Sequence, residues 1–406
     1  MGPMCRAWLL ALLAGLPRWA PAAPGGDEVL LSRIRQKMAE TLTRMPDYTC
    51  VQTIERWREG DPCAECGSWE RLRLEVAVIG GRERFAWPGA SQFEDRDIEE
   101  IVPGGAIGTG DFSGFATAVF RSGAASFAGP KAEQMEGREV WRYDYRVPQE
   151  RSGYTLRDGH TSQRVAYHGS FWVDRHTLEL LRLDVEAEGL PAPPLEITAA
   201  RTAIRYAKTP IGNSVFLLPL LSELSLSTPN RRSRNRTSFA QCRQYVGQSS
   251  LRFDEAAPAA DSAQAAIRRL RLPEGLTLHL SLSESVDPAR AAAGDALQAN
   301  LARELRQQGR VLAPKGARVR GRLRGVRQHL RPRQVGVLVL EFNRLEAPGL
   351  EAEFNARLEL LGGIIPGARR AGDVVVAASE QESAILFNGP LLRLPRGLPM
   401  QWRTLH

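Results

Sequence analysis

A two-residue period of apolar and polar side chains recurs along most of this chain, and it commits the chain to strands. In residues 71–79, Leu72, Leu74, Val76 and Val78 fall on one side and Arg71, Arg73, Glu75 and Ala77 on the other. Successive side chains of a strand point to opposite faces, so this pattern buries one face. Gly80-Gly81 supplies a tight turn and residues 84–87 return as the partner strand. Further strands are predicted at 48–58, 140–147, 164–173, 180–186, 195–206, 215–227 and 238–254, with Trp141, Tyr143, Tyr145 and Val147 sharing a face. Short turns between them predict an antiparallel meander. Two helices interrupt it. Leu30, Ile34, Met38 and Leu42 recur every fourth residue in 27–44, with Asp27 as cap and Pro46 as stop. A second helix, opened by Asp111, carries Phe112, Phe115, Val119 and Phe120 and is expected on the concave face of a curved sheet. The chain is mainly β within the α+β class.

The organisation changes past residue 254. Residues 255–272 turn to alanine, proline and serine and read as a linker. After it, residues 273–406 hold strands separated by glycine turns and predict a smaller β-barrel-like domain, its last forty residues not assigned. The two expected domains, 27–254 and 273–406, suit a length of 406 residues.

Residues 1–22 have the order of a secretory signal: Arg6, an apolar core from 7 to 16, then Ala20, Ala22 and Ala23 near the cut. The core is shorter than the ~20 residues that span a bilayer as a helix, and no later stretch is apolar enough for a transmembrane segment. The mature chain is therefore expected outside the cytoplasm, in the periplasm or beyond. Export alters the meaning of charge. The net charge of +8 becomes +6 once Arg6 and Arg18 are removed (8 − 2), carried by fifty arginines against four lysines among 54 basic residues. Nucleic acid is not an expected partner in that compartment. Anionic glycans, lipopolysaccharide and phospholipid headgroups are.

Export also bears on the cysteines. Cys50, Cys63, Cys66 and Cys242 remain after cleavage, an even number in an oxidising compartment. Of three possible pairings, Cys50–Cys242 with Cys63–Cys66 is expected. The first closes a loop long enough to stabilise by roughly 5 kcal/mol in the chain-entropy model. Cys63-Ala64-Glu65-Cys66 sits between Asp61-Pro62 and Gly67 at a hairpin tip. A local disulfide fits there better than a thioredoxin-type thiol, which needs a helix N-terminus, or a zinc site, which needs two more ligands.

The leading helix, the strand YTCVQTIER and the hairpin YHGSFWVDRHTLELLRLDVEAEG together resemble the LolA, LppX and RseB class of periplasmic proteins. The resemblance covers about 28–254. It implies a curved antiparallel half-barrel around helices, with an apolar concave surface for a lipid, a lipoprotein or a partner's peptide. Phe112, Phe115, Trp141, Tyr143 and Tyr145 would line it. The segment GDALQANLARELRQQGRVLAPKGARVRGRL and the later VLEFNRLEAPG are similar to the β-rich periplasmic core of TrbI-type conjugation proteins, over roughly 275–360. The whole chain is similar to exported proteins of soil bacteria, which implies a compartment and no activity.

No catalytic motif, metal site or cofactor-binding pattern is found. H-E-x-x-H, G-x-S-x-G and P-loop patterns are missing. His160, His168 and His176 share one region but read as surface residues, and the acidic run from Glu94 to Glu100 reads as a solvated loop. The basic features say more. Arg231, Arg232, Arg234 and Arg236 crowd one expected loop. Arg318, Arg320, Arg322 and Arg324 alternate along one strand and project from one face about 7 Å apart, with Arg327, Arg331 and Arg333 in the loop beyond. Such a row suits phosphate or carboxylate recognition, and equally a strand edge protected by charge. The expected function is a non-enzymatic envelope binding protein, with an apolar ligand or partner segment in the half-barrel and an anionic surface at the arginine strip. The alternative is a scaffold or accessory of an envelope or secretion assembly. Its expected partner is an envelope lipid, glycan or protein, and oligomeric state is not legible.

Overall fold

A computed structural model describes residues 26–60, 63–90, 93, 114–158, 161–245, 268–370, 372–379 and 382–406. The expected signal peptide, the acidic run 94–100 and Phe112 lie outside them. Helix α1 (Gly26–Thr43) holds Asp27 inside its first turn rather than at the cap and buries Ile34 and Met38. Two long strands follow, β1 (Tyr48–Glu59) and β2 (Gly67–Ile79), then the short return β3 (Arg82–Ala86). Helix α2 (Gly114–Phe120) buries Phe115, Val119 and Phe120. The meander resumes earlier than expected, with β4 (Ser126–Met135) against β5 (Arg138–Val147). Pro130 lies in β4 at the register shift between Ala128 and Lys131, and an edge strand tolerates it because its N–H side needs no partner. A small hairpin, β6 (Thr155–Asp158) and β7 (Thr161–Arg164), stands apart. The sheet continues through β8 (Ala166–Asp174), β9 (Leu180–Glu188), β10 (Ala199–Ile211), β11 (Ser214–Ser227) and β12 (Arg232–Gln244). Arg232, Arg234 and Arg236 are therefore strand residues and not a loop. Arg234 lies over the Trp57 ring at 4.9 Å.

β12 closes back on β1, Tyr48 opposite Gln244 and Glu59 opposite Arg232. The curved antiparallel sheet thus runs β4-β5-β8-β9-β10-β11-β12-β1-β2-β3. The helices α1 and α2 lie on its concave face with Tyr143, Tyr145, Phe171, Leu183 and Ile204. Cys50 is bonded to Cys242 across the β1–β12 seam, 192 residues apart in sequence, where the pairing slips by a bulge. Cys63 is bonded to Cys66 in the β1–β2 turn.

The C-terminal part begins inside the expected linker, since β13 (Arg268–Arg271) pairs in parallel with β20 (Leu350–Glu353) and Leu272 is buried. Between them come β14 (Thr277–Leu282), β15 (Ala296–Leu301), the hairpin β16 (Leu305–Gln307) and β17 (Arg310–Ala313), β18 (Arg318–Arg331) and β19 (Val335–Ala347). β21 (Asn355–Leu361), β22 (Val374–Ala378), β23 (Ser383–Phe387) and β24 (Pro399–Leu405) complete it. β24 pairs with both β14 and β21. Its Trp402 is fully buried, edge-on to Phe342 at 5.2 Å, so the unassigned C-terminal segment supplies the centre of the second core.

The two parts share strands. The outer edge of β2 is used three times: Gly67–Glu70 pair with Arg331–Arg327 of β18, Leu72 bridges Ala293, and Glu75–Ile79 pair with β3. Twenty strands of the described residues form one sheet as a result. The middle contact is exacting. Gly294 has φ +106°, and a Cβ there would stand 2.2 Å from the Arg73 carbonyl oxygen. Around it Arg71 donates to the carbonyls of Pro288, Ala289 and Ala291, and Arg73 pairs with Asp295.

Candidate functional site

The aromatic face expected to hold a ligand is packed with its own side chains. Phe115, Tyr143 and Tyr145 are all buried. Tyr143 stacks on Phe171 with centroids 5.3 Å apart, Phe120 meets Phe171 edge-on at 4.9 Å, and Phe115 meets Tyr154 at 5.4 Å. Tyr145 Oη donates to the Asp184 carbonyl at 2.8 Å. Burial holds the Tyr145 phenol well above its ordinary pKa and pushes Tyr167 up to about 12. Trp141 sits at the margin, its ring under Arg175 at 4.8 Å. Rings at these separations are mutual packing partners, with α1 and α2 as the other wall.

The four cysteines among the described residues are consumed by the two disulfides. His168 is exposed on β8, His176 lies in the β8–β9 turn, and His160 lies outside the described residues. Among the described residues no cluster of His, Cys, Asp or Glu is placed to hold a metal ion.

The arginine strip lies on β18, but not as a free row. Bulges between Arg320 and Gly321 and between Leu323 and Gly325 interrupt the register with β19. Glutamates of β19 answer the charges: Arg320 reaches Glu346 at 2.9 Å, Arg318 the same carboxylate at 3.9 Å, and Arg324 reaches Glu341 at 4.0 Å. Arg322 and Arg324 stack on Trp87 at 5.4 and 5.7 Å. Burial lowers the Arg322 pKa, against the attraction of Glu341. Arg318, Arg320 and Arg324 remain about half exposed. Arg327 and Arg331 continue on β18 itself, because the edge of β2 is there to pair with them; the sequence placed them in a loop.

A further group was not singled out from the sequence. Arg56 of β1 is 2% exposed and bound to Glu70 at 2.9 Å; Arg58 binds the same oxygen at 2.8 Å. Burial lowers the Arg56 pKa while Glu70 opposes that shift. Both arginines border a cleft of about 920 Å³ that also includes Trp87, Arg324, Arg327 and Glu382 in its lining. The signal in the sequence was the alternation of Gln52, Ile54, Arg56 and Arg58 on what reads as the inner face of β1.

No family model and no curated protein matches this chain. Solved structures give partial likenesses. A DUF1329 family protein from Desulfovibrio piger is 9% identical, over 55% of this chain and 94% of its own, with a TM-score of 0.30. A domain provisionally named as an outer membrane lipoprotein-sorting protein, from Vibrio parahaemolyticus, is 12% identical over 54% and 93%, at 0.29. A LolA superfamily protein from Nitrosomonas europaea is 11% identical over 54% and 94%, at 0.25. At TM-scores of 0.30 and below, none bears on how this chain works, and its own strand order and register define its architecture.

Proposed function

We propose that this chain is an exported, non-enzymatic binding protein of the cell envelope that meets an anionic surface through the arginine-bearing face of β18. The observation that carries the reading is the half-exposed set Arg318, Arg320 and Arg324, held in place by two glutamates of β19. Three guanidinium groups on two carboxylates leave one positive charge in excess, and exposed pairs of this kind are weak enough to exchange for an external anion. The signal-like N-terminus and the two disulfides support a compartment outside the cytoplasm. An apolar ligand on the face of Phe115, Tyr143 and Tyr145 would have to displace α1 and α2, so this reading assigns no cargo there. The same filled interior favours a second reading, a scaffold of an envelope or secretion assembly that contacts protein and carries no small molecule.

Co-sedimentation of the mature protein with vesicles containing phosphatidylglycerol, with lipopolysaccharide and with neutral vesicles tests the first reading. Binding to the anionic preparations is expected, weakening as salt rises, and Arg318→Ser with Arg320→Ser should abolish most of it. Unchanged binding by that double variant overturns the reading. Cross-linking in cells that captures protein alone supports the scaffold.

A further inference from the structure

The concave face of the N-terminal sheet does not stop at its last strand. Residues paired across a ladder share a face, and here one row of neighbours crosses from one part of the molecule to the other. Asn235 of β12 faces Arg56 of β1, Arg56 faces Glu70 of β2, Glu70 faces Arg327 of β18, and Arg327 faces Val337 of β19. Arg56, Glu70 and Arg327 lie among the lining residues of the 920 Å³ cleft.

Charge is unbalanced along that row. Glu70 serves both Arg56 and Arg58. Arg324 meets Glu341 only at 4.0 Å, and Arg327 meets Glu382 at 3.0 Å. In these contacts four guanidinium groups stand against three carboxylates, and the rest of the lining adds Arg357 and Arg403 against Glu274. The buried one, Arg56, is fixed, while Arg58, Arg324 and Arg327 have side chains 26%, 49% and 36% exposed. Glu382 is itself 53% exposed, so its contact with Arg327 is open to replacement by a competing anion. Gly325 leaves room for the Arg327 guanidinium: a Cβ there would stand 3.0 Å from its Nε. Guanidinium forks held from behind suit the tetrahedral oxygens of a phosphate. The rest of the lining, with Asn343, Asn355, Arg357 and Glu274, offers polar groups to a hydrophilic remainder and little to an acyl chain.

We propose that this cleft binds a phosphate ester with a hydroxyl-rich remainder, its phosphate taken by Arg58, Arg324 and Arg327 with release of Arg327 from Glu382. This site is separate from the surface strip proposed above except at Arg324 and its partner Glu341.

The test titrates the full mature chain with glucose 1-phosphate, inorganic phosphate and glucose by calorimetry. Saturable binding of glucose 1-phosphate without binding of glucose is expected. Arg327→Gln should weaken it at least tenfold, and Glu382→Gln, which frees Arg327, should strengthen it several-fold. Arg318→Ser with Arg320→Ser should leave it unchanged even if vesicle binding is lost, which separates failure here from failure of the surface reading. Vesicles of phosphatidylglycerol that displace glucose 1-phosphate would assign the phosphate to a lipid headgroup, and vesicles that do not would assign it to a soluble ester. No saturable binding by the unaltered protein, or a Glu382→Gln variant that folds and binds no better, overturns the proposal.

Discussion

From Tyr143 to Phe171 the concave face of the sheet lies under two helices and is built of rings; from Arg56 to Arg327 the same face is built of charges at the rim of a cleft. Both stretches are strands with the same alternation, and both put buried residues on the inner side. What differs is the covering. Under α1 and α2 an apolar wall faces Phe171, and the stable answer is close aromatic packing. At the crossing into β18 a buried cation, Arg56, is compensated by a carboxylate on the next strand, which is the arrangement a buried charge requires. The first stretch holds the fold; the second leaves chemistry within reach of solvent.

The sharpest way to break this contrast is Phe171→Ala. A fully buried ring in a filled cluster should cost about 3–5 kcal/mol when truncated, measured by urea unfolding. A loss below about 1 kcal/mol would mean that the rings border open space, and the ligand-bearing reading of this face would return. Next in size is Glu70→Ala, which strands the Arg56 charge and should cost about 3 kcal/mol; the double variant Arg56→Met with Glu70→Leu should be less damaging than the single one. If the single change is harmless, the charged stretch is solvated and the two halves of the face differ less than claimed. The smallest effect concerns the β8–β9 turn. Backbone N–H groups of Thr177 and His176 donate to Asp174 and hold its carboxyl below the ordinary range, burial opposing them. A depressed carboxylate contributes stability above its unfolded pKa, near 4, and that contribution fades as pH falls through the lower folded value. Asp174→Asn should therefore lower stability slightly at pH 6 and flatten its decline below pH 4, followed by thermal unfolding across that range. An unchanged acid limb would remove the turn from the account.

Much of the sheet was legible because its signal is local. The alternation of 71–79, the Gly80-Gly81 turn and the shared face of Trp141, Tyr143 and Tyr145 need no knowledge of distant residues. The errors have a common cause. β4 was hidden by Gly129-Pro130, which is harmful in a central strand and harmless on an edge. The second half of β18 was hidden by its arginines, since HLR and RPR look like a loop until the edge of β2 supplies hydrogen bonds. The arginine strip was read correctly as one strand, but its partners, Glu341 and Glu346, belong to a strand whose register passes two bulges. The Arg56–Glu70–Arg327 row combines three separate strands, and no periodicity in any of them announces it.

The triple use of the outer edge of β2 also has a consequence in time. As the chain is made, β2 emerges early and finds β3 at once. Its other two partners, Ala293 and the end of β18, arrive only after the whole meander has passed. Until then Gly67–Arg73 present an unpaired, partly apolar edge of the kind that recruits other chains. At about 5–20 residues per second, the stretch between Arg73 and Ala293 takes on the order of tens of seconds to make, longer than strand pairing itself. Completion of the C-terminal strands is thus what seals the N-terminal sheet, and a chain stopped short of β18 should be prone to aggregate through β2.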